Sequence, residues 1–123
     1  MKKLRLLTAG LAFVALLGLA SLIVKAQDVV KVAPKSCKVL LENDQVRVVR
    51  CVEKPGEKLE MHSHPANIVY ALTSSKAKFT LPDGKTEERE LKAGQAVWSD
   101  AVTHSSENVG TTESRALVIE LKK

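Results

Sequence analysis

The chain has 123 residues, with 19 basic against 14 acidic side chains, 45% hydrophobic and 3% aromatic residues, a length that holds one domain. The surplus charge sits at the start: Lys2, Lys3, Arg5 and Lys25 precede residue 27, and without them fifteen basic residues stand against fourteen acidic ones. A near-neutral remainder with interspersed signs has no basic stripe for a phosphate backbone, which excludes nucleic acid as a partner.

Residues 1–26 read as a signal peptide formed as an N-terminal apolar helix. A basic start is followed by the apolar run Leu6 to Val24, and Val24-Lys25-Ala26 offers small or apolar residues where a signal peptidase inspects the chain, with cleavage after Ala26. The run of 19 residues is also near the length that spans a bilayer, so an uncleaved membrane anchor is the alternative. In either case the basic start stays inside and the rest is exported, to the periplasm or the outside of a bacterial envelope. A mature domain this small buries a modest share of its surface and gains from a bound metal or a partner; a homodimer is expected.

Residues 27–37 are mixed in character and include Pro34; an arm or an edge strand is expected. Cys37 to Glu42 alternates, Asn43-Asp44 signals a turn, and Val46 to Val52 is valine-rich, so the two segments form a hairpin. A three-residue loop would set Cys37 opposite Cys51, and in an exported protein such a pair forms a disulfide. A two-residue loop would shift the register and leave two small buried thiols.

Further strands follow at Leu59 to His64, Ile68 to Thr73, Ala77 to Leu81, Thr86 to Leu91, Ala96 to Ser99, Thr103 to Asn108 and Ser114 to Leu121. Pro82-Asp83-Gly84-Lys85 marks a tight hairpin turn and Lys92-Ala93-Gly94-Gln95 another. Short strands at regular spacing, with no helical periodicity after the leader, indicate an all-β sandwich or barrel. There is no Gly-rich phosphate loop, and no serine stands in a nucleophile elbow.

The chemistry is concentrated in His62-Ser63-His64. On a strand, residues two apart face the same side, so the two imidazoles project into one space. If the fold brings His104, the one remaining histidine, to the pair, the three make a ligand set for a divalent transition metal (Fe, Zn, Ni, Cu or Mn) with positions left open for a small molecule. Glu60 shares the strand parity of the pair and is a candidate for the same cavity; Tyr70 and Trp98 are expected to line the barrel or its mouth.

These residues resemble the two motifs of the cupin superfamily. Gly56, His62 and His64 match the first motif at its spacing, Gly94, His104 and Asn108 match most of the second, and the similarity runs from Val39 to Leu121. The resemblance implies a single jelly-roll β-barrel over residues 38–123 and carries the metal-ligand role onto His62, His64 and His104. The family's carboxylate ligand would fall at Asn67 or Ile68, neither of which is acidic, and Pro-x-Gly of the second motif is replaced around Ser99-Asp100-Ala101. Asn67 and Asp100 are therefore the stand-in candidates for a fourth ligand, and Asn108 is expected to fix the backbone near His104. Three-histidine sites without the glutamate resemble those of some cupin dioxygenases, so a metal-dependent dioxygenase acting on a small molecule is the leading expectation. The alternatives are a non-catalytic small-ligand or metal-binding module of the envelope, and a structural remnant whose histidines bind nothing.

Overall fold

The computed structural model describes residues 27–123; the expected signal peptide lies outside the described residues. Nine strands follow one short helix: α1 (Val29–Val32), β1 (Cys37–Glu42), β2 (Val46–Glu53), β3 (Lys58–His64), β4 (Asn67–Ala71), β5 (Ser75–Thr80), β6 (Thr86–Leu91), β7 (Ala96–Ser99), β8 (Val102–Asn108) and β9 (Ser114–Leu121). They form a five-stranded sheet, β1-β2-β9-β4-β7, facing a four-stranded sheet, β3-β8-β5-β6. All neighbouring strands are antiparallel, the jelly-roll arrangement expected from many short strands joined by tight turns. In the turn between β5 and β6, Gly84 takes φ 87°, a left-handed conformation that glycine adopts without steric cost.

Within residues 27–37, expected as an arm or an edge strand, Val29–Val32 form one helical turn. Asp28 caps α1 by accepting a hydrogen bond from the Val30 backbone N–H at 2.8 Å, and Val29 is fully buried. It packs with Cys37, Val49, Leu59 and Val118, the apolar cluster at the centre of the domain. The backbone of Gln27 accepts from the Ser63 N–H at 2.7 Å, so this segment lies along the free edge of β3, where it satisfies groups that an edge strand leaves open.

The hairpin of β1 and β2 reaches its pairing by a route the sequence did not suggest. Asn43 N–H donates to the Val46 carbonyl at 3.0 Å, enclosing only Asp44 and Gln45, and the Asn43 side chain accepts from both the Gln45 and Val46 N–H groups. A two-residue loop alone would misalign the cysteines. A bulge between Val39 and Leu41 shifts the register by one, and Cys37 then stands opposite Cys51 with a disulfide joining them. The bridge closes a loop with a sequence separation of 14, for which chain-entropy reasoning gives about 3 kcal/mol. Cys51→Ser is expected to lower the unfolding free energy by about that amount in urea melts without reductant; an unchanged midpoint would show that the bond contributes nothing to stability.

On the outer face of the five-stranded sheet, register sets Leu41, Val48, Ile119, Ile68 and Trp98 in one row across all five strands. Leu41 and Trp98 are 50% and 55% exposed at its two ends.

Candidate metal centre

Register also builds the histidine cluster. His62 and His64 are two apart on β3, and His104 of β8 is the cross-strand partner of His62. The ring centroids lie 4.8 Å apart for His62 and His64, 4.9 Å for His62 and His104, and 5.7 Å for His64 and His104. One ligand nitrogen from each ring falls within 4.8 Å of the others. His62 and His64 are buried, and His104 is half-buried.

Two of the rings are held in the orientation a metal requires. His62 Nδ1 lies 2.6 Å from the Glu60 backbone carbonyl, which can only accept, so Nδ1 carries the proton and Nε2 keeps its lone pair. His64 Nδ1 lies 2.8 Å from Glu120 Oε2, the carboxylate-to-histidine contact that orients metal ligands. His104 has the Phe79 ring stacked on it, centroids 4.9 Å apart. Burial lowers the pKa of His62, with the neighbouring His64 acting in the same direction. Burial, reinforced by His62, His64 and Arg89, pushes His104 down to about 3. Both imidazoles are therefore neutral at pH 7, which leaves nitrogen lone pairs free for a cation. Three imidazoles on one cavity wall fit a divalent transition metal.

Glu120 is 2% exposed and is shared: Oε1 accepts from Arg47 Nε at 2.6 Å, while Oε2 meets His64. Arg47 also donates to Asp28, so an unbroken polar chain runs from the helix cap to the metal-facing ring. Burial alone would raise the Glu120 carboxyl, but the hydrogen bonds from His64 and Arg47 outweigh it and hold the pKa below the ordinary value. Every buried polar side-chain atom among the described residues has a partner.

The histidines open onto a cavity of about 770 Å³ between the sheets. Alternation decides which candidates reach it. On β4 and β7 the odd-numbered residues Asn67, Val69, Ala71, Val97 and Ser99 line it, so Tyr70 and Trp98 point the other way, 37% and 55% exposed on the outer face; neither lines the barrel interior. Asp100 is exposed and accepts from Trp98 Nε1 at 2.9 Å, which turns it away from the metal position. Glu60 is exposed because a bulge between Leu59 and His62 breaks the parity that would have aimed it inward; its contribution is the backbone carbonyl on His62. Asn67 does line the cavity, 2% exposed, with Nδ2 donating to the Pro65 carbonyl at 2.8 Å. Asn108 works at the far end of β8: Nδ2 donates to the Glu53 and Thr112 carbonyls and Oδ1 accepts from the Gly110 N–H, so it fixes that loop rather than the surroundings of His104.

Sequence reasoning missed Glu120, Arg47, Phe79 and Glu53. The signal for three of them was parity: Arg47 and Glu53 lie two from Val49 and Cys51, and Glu120 lies two from Val118, all on inner faces.

No family model and no curated protein sequence matches the chain. Among solved structures it is similar to a cupin domain from Bordetella pertussis Tohama I, with 25% identity, a TM-score of 0.65, and 71% of this chain and 92% of that one covered. It is also similar to an RmlC-like cupin family protein with a double-stranded β-helix fold from Methanocaldococcus jannaschii (16% identity, TM-score 0.57, 70% and 78% covered). A third likeness is to KdgF from a Halomonas species (17% identity, TM-score 0.51, 71% and 79% covered).

Proposed function

From the premise that the chain is a single-domain member of the cupin superfamily, we propose that it holds one divalent transition metal on His62, His64 and His104 and presents it to a small molecule as a dioxygenase-type oxidoreductase. The observation that carries the reading is the engagement of Nδ1 on both His62 and His64, which commits the opposite nitrogens to the cavity. A bound metal would supply Lewis acidity or activation of O₂ at its open positions. The protein's own residues do the rest. Glu120 and the Glu60 carbonyl hold two imidazoles in place, Phe79 backs the third, and the apolar walls Val69, Ala77 and Val97 exclude water from the ligand.

The protein purified without a histidine tag is expected to carry about one metal per chain by elemental analysis. Anaerobic reconstitution with Fe(II) followed by O₂-uptake measurements across a panel of small thiols, phenols and diketones tests the reaction class. A full metal complement with no turnover for any metal would exclude the dioxygenase and leave a non-catalytic ligand-binding module, a reading favoured by the lack of an acidic fourth ligand among the described residues. Loss of metal altogether would leave only a structural remnant.

We further propose that the domain is exported and pairs with a second copy. The leader-like start of the sequence and the Cys37–Cys51 disulfide support an oxidising compartment, and the apolar row ending at Leu41 and Trp98 supports self-association.

A further inference from the structure

Among the described residues, one acidic side chain inside the cavity has no cationic partner. Glu53, at the end of β2, lines the cavity wall, and among the described residues the only side chain bonded to its carboxylate is Ser106, whose Oγ donates at 3.4 Å. The contrast with Glu120, held by both Arg47 and His64, is sharp. Burial raises the Glu53 pKa to about 7, and the like charge of Glu57 adds to the rise against the hydrogen bond from Ser106. The other charged or titratable groups lining the same cavity are the three histidines and, on β6 and the turn before it, Lys85, Glu87, Arg89 and Glu90. The strand end that carries Glu53 is held firmly, because Asn108 Nδ2 donates to its carbonyl at 3.0 Å.

Position relates this group to the histidines. Ser106 is two residues beyond His104 on β8, and both face the cavity, so the Glu53 carboxylate stands about two residues, roughly 7 Å, along the strand from the metal-facing rings. Small side chains surround that end of the cavity: Ala71, Ser75, Ala77, Ser114 and Ala116. A half-buried carboxylate with no cationic partner among the described residues, beside open space, is costly unless something else supplies the counter-charge.

We propose that Glu53 is the recognition point for a cationic ligand end, and that the cavity takes a small aliphatic amine whose other end, a carboxylate or hydroxyl, reaches the metal on His62, His64 and His104. The proposal rests on the metal reading above for the second contact. The ammonium forms a charge-assisted hydrogen bond with the Glu53 carboxylate, to which the Ser106 hydroxyl goes on donating, while the methylene chain lies against Phe79 and the alanines.

The test is calorimetric titration of the metal-loaded protein with 4-aminobutanoate and with butanoate, each with a carboxylate for the metal and only one with a cation. The amine is expected to bind at least about tenfold tighter at pH 8, the scale of a charged hydrogen bond. Since the ionised form of Glu53 is the one that binds, and its pKa is about 7, the ratio of the two affinities should fall about tenfold between pH 8 and pH 6. Glu53→Gln should erase the preference while leaving metal content unchanged. Equal affinities at pH 8, a preference that survives in Glu53→Gln, or a ratio independent of pH would each overturn the proposal; the pH series on the unaltered protein decides it even if the variant does not fold. Metal content is measured on the same samples. Full metal with no preference for the amine refutes this inference alone, whereas absence of metal refutes the reading it rests on.

Discussion

Replacing His104 by alanine should cost the protein its stoichiometric metal while His62 and His64 remain in place. His104 is the one ligand supplied by a second strand, opposite His62 across the β3–β8 ladder, so its loss leaves two imidazoles on a single strand and no third point to close the site. Removing a residue that only orients a ligand typically costs 10- to 100-fold in metal affinity, so removal of a ligand itself should cost more than about 100-fold. Chelator competition with Zn(II), read alongside elemental analysis, measures this, and a thermal melt of both proteins separates loss of the ligand from loss of the fold. Unchanged affinity in His104→Ala would place the metal away from the triad.

Glu120→Ala should be the most destabilising single substitution near the site. Glu120 is 2% exposed and bonded to both Arg47 and His64; its removal leaves a largely buried guanidinium short of one partner, a change that costs about 3 to 5 kcal/mol when no other partner remains. Arg47 keeps Asp28, so the lower end, about 3 kcal/mol, is expected in urea melts at pH 7. The sign with pH follows from the lowered carboxyl pKa. The stabilisation is fully present above the ordinary carboxylate range and is lost as pH falls through the folded-state value. The gap between the unaltered protein and the variant should therefore shrink on acidification, and a gap that stays constant down to pH 3 would show that the charge on Glu120 is not what stabilises the fold. Metal affinity should drop by about 10- to 100-fold as His64 loses its orienting partner.

Much of the architecture was legible because turn chemistry punctuates the chain. Asn43-Asp44, Pro82-Asp83-Gly84 and Gly94 bracket segments that do form strands, and β6, β7 and β9 run over the expected residues. The histidine cluster was legible because the chain holds only three histidines. What escaped was everything that depends on register. Glu60 has the right parity on an unbroken strand, but the bulge before His62 turns it out; Trp98 and Tyr70 look like cavity aromatics until the inner rows of β4 and β7 are known to be odd-numbered. Glu120 and Glu53 were not singled out, since a single strand does not reveal which cross-strand neighbours will cover its side chains. The helix at Val29–Val32 is one turn long, too short to show a period.

The paired irregularities of the first hairpin have a consequence for how this protein can change length. The loop encloses Asp44 and Gln45, and Leu40 is the one residue of β1 left without a partner between Cys37 and Glu42. Removing Leu40, or adding a residue inside the turn, leaves every cross-strand pair from Glu42 and Arg47 out to Cys37 and Cys51 in place. The turn and the bulge are therefore the two places where this hairpin can change length, each independently of the other, without parting the sulfurs.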